Sequence, residues 1–444
     1  MKIKELEKKN LVILGIGREG LDSFYFLRKL FPKKVIAIAD EKDVSELDIN
    51  TEKSLGKDSY IKYYGGKNYL KSLKNFDIVV KSPGIQFGKI KKYLKKGVIL
   101  TSQTELFFDN CPAKIIGITG TKGKSTTASL IYAILKKNGF SAYLLGNIEN
   151  PSLSHLLKIK KTDVIVYELS SHQLQFLRTS PHIAVFLNIY PEHLDYYKNF
   201  NEYFKAKENI ALYQSKSDYF IFNPKFREIK NLARKAKSKK ISIEPKKYSK
   251  LFGQNPELAQ ITHEDNLTAA IEAGKIFKLT EQRIIRGIKS FKKLPHRLEL
   301  VGEFKKIKFY DDSIATIPEA AIFAMNSLGE SVETMILGGL DRGIDFKKIS
   351  KEISRNKNIK NLILFPASGN KIWQGINKKE KSRLNKYSVK DMESAVKTAF
   401  AKTTPGRICL LSPASPSFGL FKDYKDRGEQ FKKYVILYGK QGKK

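Results

Sequence analysis

Cysteine is nearly absent, with two in 444 residues. Cys111 and Cys409 lie in different segments, which excludes a disulfide framework and offers no metal-binding spacing. No apolar run approaches the ~20 residues of a membrane helix. The start Met1-Lys-Ile-Lys-Glu-Leu-Glu-Lys-Lys is too charged for a secretory leader, so a soluble cytoplasmic protein is expected. Acidic residues are scarce as well: 45 Asp plus Glu face 82 Lys plus Arg, a net charge of +37. Such an excess would suit a polyanion. The lysines are nevertheless spread along the chain (89–96, 230–240, 305–308, 432–444), with no motif that reads RNA or DNA and no clearly amphipathic basic helix. That distribution reads as compositional drift on solvated faces, and neither a nucleic-acid nor a membrane partner is expected.

What is present is a stretch around which the chain is organised, Gly117-Ile-Thr-Gly120-Thr121-Lys122-Gly123-Lys124-Ser125-Thr126. It follows the apolar Lys114-Ile-Ile116 and opens a helical pattern running to about Asn138. Strand, glycine loop and helix together make a polyphosphate cradle: glycines let backbone N–H groups approach, and the helix N-terminus adds a positive dipole. Lys124 then reaches the outer phosphates and Ser125 offers a hydroxyl to magnesium. The spacing departs from the strict P-loop, because Ile118 stands where the first glycine is expected.

At about 150 residues per domain the length predicts three, with boundaries at 1–110, 111–293 and 294–444. The first segment reads as a β-α-β unit: Asn10–Leu14, the loop Gly15-Ile-Gly17-Arg18-Glu-Gly20, a helix to Leu30, then Val35–Ala39 ending in Asp40. A glycine fingerprint with an acid about twenty residues on fits a nucleotide crevice. A third strand, Phe76–Val80, leads into the turn Ser82-Pro-Gly84-Ile85. The central segment alternates strands and helices, with strands at Lys114–Thr119, Val164–Glu168, His182–Ile189 and Asp218–Asn223. Glu168, at a strand end beside a P-loop, is placed as a magnesium ligand, and His193 follows the third strand. The last segment carries strands Ile307–Tyr310, Met335–Leu337, Asn361–Phe365 and Ile408–Leu411, each running into a polar loop. The expected fold class is α/β: a Rossmann-like N-terminal domain, a central P-loop ATPase-like domain with a mostly parallel sheet, and a Rossmann-like C-terminal domain. An NAD(P) dehydrogenase would leave the ATP loop idle, and a nucleic-acid-binding ATPase would need RNA or DNA to stimulate turnover.

The loop Gly117–Thr126 resembles the ATP loop of the Mur ligases, whose first glycine is displaced in the same way. The Gly15–Gly20 loop, Ser82–Ile85, Tyr167-Glu-Leu-Ser-Ser171, Pro295-His-Arg-Leu-Glu299, Asp312-Ser-Ile-Ala-Thr316 and Leu411-Ser-Pro-Ala-Ser-Pro-Ser-Phe418 are similar to family motifs, in order, over nearly the whole chain. The resemblance implies ATP-driven amide formation in peptidoglycan precursor synthesis, joining D-glutamate to UDP-MurNAc-L-alanine through an acyl phosphate. A sister ligase adding another amino acid is the alternative. It implies two Mg2+ ions, one on Ser125 and Glu168 and one on His193 and a carbamylated Lys207, with Lys205 the nearby competitor. ATP would meet Gly120 to Thr126, Asn266, Arg297 and Asp312. The UDP-substrate would meet Gly15, Gly17, Arg18, Gly20, Asp40, Ser82, Gly84 and Asn147, although Glu149 replaces a family glycine. D-glutamate would meet Thr316, Arg342 (a lysine in the family), Ser417, Phe418 and Tyr424. Thr262 and His263 depart from the family pattern before Asn266. A monomer that closes its domains around small-molecule substrates is expected.

Overall fold

The structure, a computed structural model, describes residues 1–47, 49–147, 151–193, 196–291, 295–341, 344–417 and 419–441. The chain divides into two compact bodies, Met1–Phe291 and Lys292–Lys444.

The first body holds two wholly parallel sheets. One has the order β3-β2-β1-β4-β5, built from β1 Leu11–Leu14, β2 Ile36–Ala39, β3 Ile61–Tyr64, β4 Ile78–Lys81 and β5 Ile99–Thr101. The Leu-Val-Ile-Leu of β1 is buried along its whole length, as a strand covered on both faces must be. Strand order reverses between β1 and β4, so the loops after these two strands flank the crevice where open α/β sheets bind ligands. The other sheet has the order β11-β10-β9-β6-β8-β7, from β6 Lys114–Thr119, β7 Ala142–Gly146, β8 Val164–Glu168, β9 Ile183–Phe186, β10 Tyr219–Phe222 and β11 Lys239–Ser242. β6 lies between β8 and β9, which brings the loops after all three to one place. The two sheets share an apolar core: Phe107 and Phe108, on the helix Gln103–Asn110, pack tilted and edge-on against Tyr167 of β8 at ring separations of 5.5 and 5.3 Å.

The second body is a single sheet of order β12-β13-β17-β14-β15-β16, from β12 Glu299–Phe304, β13 Ile307–Asp311, β14 Val332–Gly339, β15 Asn361–Ala367, β16 Asn385–Ser388 and β17 Ile408–Leu411. Among the described residues only β12 is antiparallel, pairing with β13; the other pairs are parallel. Each strand expected from sequence is present within a few residues. The six that the apolar pattern misses, β3, β5, β7, β11, β12 and β16, are the two edges of each sheet. Phe76–Val80 is consequently the fourth strand of its sheet in chain order, since β3 precedes it.

Candidate active site

The cradle forms where sequence placed it. β6 ends at Thr119, and the helix Lys124–Lys137 starts after Gly123, whose φ of +81° only glycine adopts without strain. A Cβ on Gly123 would stand 2.5 Å from Oδ1 of Asn266, so this glycine also lets the helix Glu264–Ile276 approach the loop. Gly117 answers a different need. A Cβ there would meet Pro181 at 2.6 Å and Leu169 at 2.9 Å, so the displaced glycine serves packing within the sheet. The Lys124 ammonium curls over the loop, donating to the carbonyls of Gly120 (3.0 Å) and Thr121 (2.9 Å). Ser125 is half-buried in the first helical turn, and Thr126 is buried. Thr121 is fixed against Tyr190 and the Tyr203 hydroxyl, while Lys122 pairs with Glu192 at 2.9 Å.

Glu168 closes β8 and is buried. Its Oε1 accepts from Asn147 at 2.9 Å, but its Oε2 is buried with no partner among the described residues. A buried carboxylate oxygen left over beside a phosphate loop fits a magnesium ligand. Lys207 lies on the helix Phe200–Leu212, 1% exposed, donating to Thr119 Oγ1 (3.2 Å) and the Gly120 carbonyl (3.0 Å). Burial, then the nearby Lys124 charge, push its amine far below the usual lysine range. Its competitor Lys205 is exposed. Carbamate formation consumes a neutral amine, and burial shifts Lys207 toward that form. His193 is half-buried with a left-handed backbone (φ 58°), its Nε2 3.7 Å from Glu192. Burial lowers its pKa. At Glu192, burial acts to raise the pKa, but Lys122, His193 and Lys124 outweigh it and bring it down to about 2.

Sequence reasoning missed a second histidine. His172 packs edge-on against His193 at 4.8 Å and Tyr196 at 4.3 Å, and burial pushes its pKa down to about 3. Its only sequence signal was its place just after Tyr167-Glu-Leu-Ser-Ser171, and Glu192 likewise stood unremarked beside His193.

In the nucleotide crevice, a Cβ on Gly20 would overlap the Gly15 carbonyl at 2.0 Å, and one on Gly15 would meet Ser82 and Ile85 at 3.0 Å. These two glycines are packing requirements. Gly17 and Gly84 face open space and leave the room a ligand needs. Arg18 is exposed at the start of the helix Arg18–Leu30. Asp40 accepts from the Ile16 amide at 2.7 Å and so steadies the loop, and Ser82 donates to the Gly15 carbonyl at 2.8 Å. Lys81, unassigned from sequence, donates to the carbonyls of Ser82 (2.9 Å) and Ile85 (2.7 Å), and burial brings its pKa to about 8. Side chains from the segments beside the cradle reach this crevice. The Tyr196 hydroxyl lies 3.1 Å from the Ile85 carbonyl, and Gln173 donates to Glu19 at 2.7 Å.

Asn266 donates to Thr262 Oγ1 at 2.9 Å and His263 caps the helix by accepting from the Asp265 amide, so both departures from the family pattern have a structural role. In the second body, Asp312 follows β13, accepting from Ser412 Oγ (2.7 Å) and the Leu298 amide (3.2 Å); burial raises its pKa to about 7 despite Arg297. Arg297 has a buried Nε with no partner among the described residues. Thr316 is half-buried, Ser417 is buried, and Tyr424 begins the helix Tyr424–Lys440. Arg342 and Phe418 lie outside the described residues, as do Glu149 and Asp195. His296, Glu299 and Asp311 bring ligand atoms within 4.8 Å of one another; within the cluster His296 Nδ1 lies 2.7 Å from Asp311, and Glu299 also pairs with Lys432 at 3.5 Å.

A phosphate cradle with a spare carboxylate at the adjoining strand end, on a chain with three largely parallel sheets, defines an α/β enzyme that works on a nucleotide. Residues 118–290 match the Mur ligase middle domain and residues 296–415 the Mur ligase glutamate ligase domain. The UDP-N-acetylmuramoylalanine--D-glutamate ligase of Acetivibrio thermocellus is 34% identical, with 97% of each chain covered, and that of Clostridium tetani is 32% identical at the same coverage. Among solved structures, MurF ligase from Thermotoga maritima in complex with ADP aligns with a TM-score of 0.59 at 15% identity, covering 98% of this chain and 97% of that one. UDP-N-acetylmuramate-alanine ligase MurC from Thermotoga maritima gives 0.58 at 14% identity, covering 97% and 99%. At these identities the structures show a shared fold. The chain belongs to the Mur ligase family.

Proposed function

We propose that this protein is an ATP-dependent ligase that adds D-glutamate to UDP-N-acetylmuramoyl-L-alanine in peptidoglycan precursor synthesis, in the cytoplasm. The observation that carries the reading is the cradle itself: Lys124 bent over the loop, the spare Glu168 oxygen, and the buried Lys207 amine, in a chain that aligns end to end with relatives named for that reaction. The division of labour is into domains 1–110, 111–293 and 294–444. Gly17 and Gly84 leave space for the UDP diphosphate, with Gly15, Gly20, Arg18, Asp40, Ser82 and Asn147 around it. Gly120 to Thr126 receive the ATP phosphates, with Asn266, Arg297 and Asp312 as further ATP contacts. Thr316, Arg342, Ser417, Phe418 and Tyr424 receive D-glutamate.

The substrate carboxylate attacks the γ-phosphorus, ADP leaves, and the amine of D-glutamate then displaces phosphate from the acyl carbon. Lys124 neutralises charge on the oxygens in transfer. Ser125 and Glu168 would hold one magnesium ion, and His193 with a Lys207 carbamate a second; bound there, the ions neutralise phosphate charge and orient the reacting oxygens. The burial that lowers the Lys207 pKa is the chain's own contribution to making that carbamate. The protein is read as a monomer acting on small molecules.

The test is ATP-dependent phosphate release with UDP-MurNAc-L-alanine, comparing D-glutamate, a panel of L- and D-amino acids, and none. Release specific to D-glutamate is expected. Release only with another amino acid moves the protein to a sister ligase, and no release with any of them overturns the ligase reading.

A further inference from the structure

Arg427 is the largest fully buried side chain among the described residues, 0% exposed, and neither the ATP loop nor the nucleotide crevice uses it. A buried guanidinium is costly to desolvate, and burial lowers its pKa to about 9 although Asp311 and Asp312 act to raise it. Among the described residues it forms no ion pair. Its hydrogen bonds instead go to two loops that leave neighbouring strands. Nε donates to Ser313 Oγ at 3.0 Å and Nη2 to the Ser313 carbonyl at 2.7 Å, both just after β13. Nη1 donates to the Ser415 carbonyl at 3.0 Å, after β17. Ser313 Oγ passes the connection on to the Tyr424 carbonyl at 2.7 Å, in the first turn of the helix that carries Arg427. A third strand end joins them: Leu340 donates to the Pro416 carbonyl at 2.9 Å, and a Cβ on Gly339 would fall 2.3 Å from that oxygen and 3.3 Å from Arg427 Nη1.

One planar fork thus ties together the ends of β13 and β17 and the start of the last helix, with β14 packed close against it. Thr316 stands three residues beyond Ser313, Ser417 two beyond Ser415, and Tyr424 lies on the helix itself. We propose that Arg427 is a positioning residue for the acceptor amino acid, setting the spacing of the Thr316 and Ser417 loops; this rests on the assignment of those loops to D-glutamate above. A lysine could not replace it, because a single ammonium cannot donate in one plane to oxygens on two loops.

The experiment uses full-length Arg427→Lys and Arg427→Ala. Hydrogen–deuterium exchange should show peptides covering 311–317 and 412–417 opening together, with those around 117–126 unchanged. Steady-state kinetics should show KM for D-glutamate raised about tenfold or more, the scale of two or three lost hydrogen bonds, with KM for UDP-MurNAc-L-alanine within about twofold. Millimolar guanidinium should restore part of the exchange protection and of the KM in Arg427→Ala, and Arg427→Lys should behave like the alanine variant rather than the wild type. Unchanged exchange in the two loops, or KM values that rise equally for all substrates without guanidinium rescue, would overturn the proposal. If the wild type does not use D-glutamate, the assignment of the acceptor falls, while the exchange arm still decides whether Arg427 couples the loops. Should Arg427→Ala fail to fold, Arg427→Lys carries both readouts.

Discussion

Glu19 offers a stability measurement whose sign and size follow from the structure. Its Oε1 accepts from Gln173, its Oε2 is buried without a partner among the described residues, and burial raises the carboxyl from 4.5 to about 7. The Gln173 hydrogen bond and the Lys81 charge oppose that rise and are already included in it. Because the folded value lies above the unfolded one, the unfolded chain ionises more easily. The stability this group contributes is fully present below about pH 4.5 and is lost as pH climbs through 7. The interval from 4.5 to about 7, at about 1.4 kcal/mol per pH unit, corresponds to roughly 3 kcal/mol. Glu19→Gln keeps an oxygen to accept from Gln173 and removes the ionisation. Its stability relative to wild type should therefore rise by about 3 kcal/mol between pH 4.5 and pH 7.5. Urea unfolding followed by far-UV circular dichroism reads this. The single tryptophan, Trp373, lies in the second body, so its fluorescence transition is an internal control that should not shift between the two proteins. A difference that stays flat with pH to within about 0.5 kcal/mol would refute the assignment of a buried carboxyl whose burial outweighs its hydrogen bond to Gln173.

The other expectations concern the cradle and the crevice. Gly20→Ala should destabilise by about 2 kcal/mol or more because its Cβ overlaps a backbone oxygen, whereas Gly17→Ala should unfold like wild type yet weaken UDP-substrate binding, as thermal unfolding and titration calorimetry would show. Lys124→Ala should abolish phosphate release, and near-normal turnover would remove the cradle from the mechanism. With 13C-bicarbonate, wild type and Lys205→Ala should give a carbamate carbon resonance that Lys207→Ala lacks, since Lys207 is buried with its pKa lowered and Lys205 is exposed.

The sequence by itself determined the elements that are covered on both sides. β1 and β17 are unbroken apolar runs because no face of them meets water, β6 and β8 are apolar over Ile115–Ile118 and Val164–Tyr167, and the helix after Gly123 ends at Lys137, one residue short of the reading. Each sheet's edge strands escaped; Lys-Lys-Ile-Ser in β11 and Asn-Lys-Tyr-Ser in β16 carry too little apolar residue to announce themselves, and a half-exposed edge needs little. The glycine loops were legible as motifs, but which glycines pack and which leave room was not. Gly20 and Gly17 differ only in what their missing Cβ would meet. The same holds for Lys207 against Lys205, two residues apart on one helix, where rotation about the helix axis buries one and exposes the other. His172, the unpaired oxygen of Glu168 and the three-way bond of Arg427 were decided by tertiary structure alone. Each depends on residues distant in sequence converging where strands end, and local sequence carries no record of which distant partner will arrive.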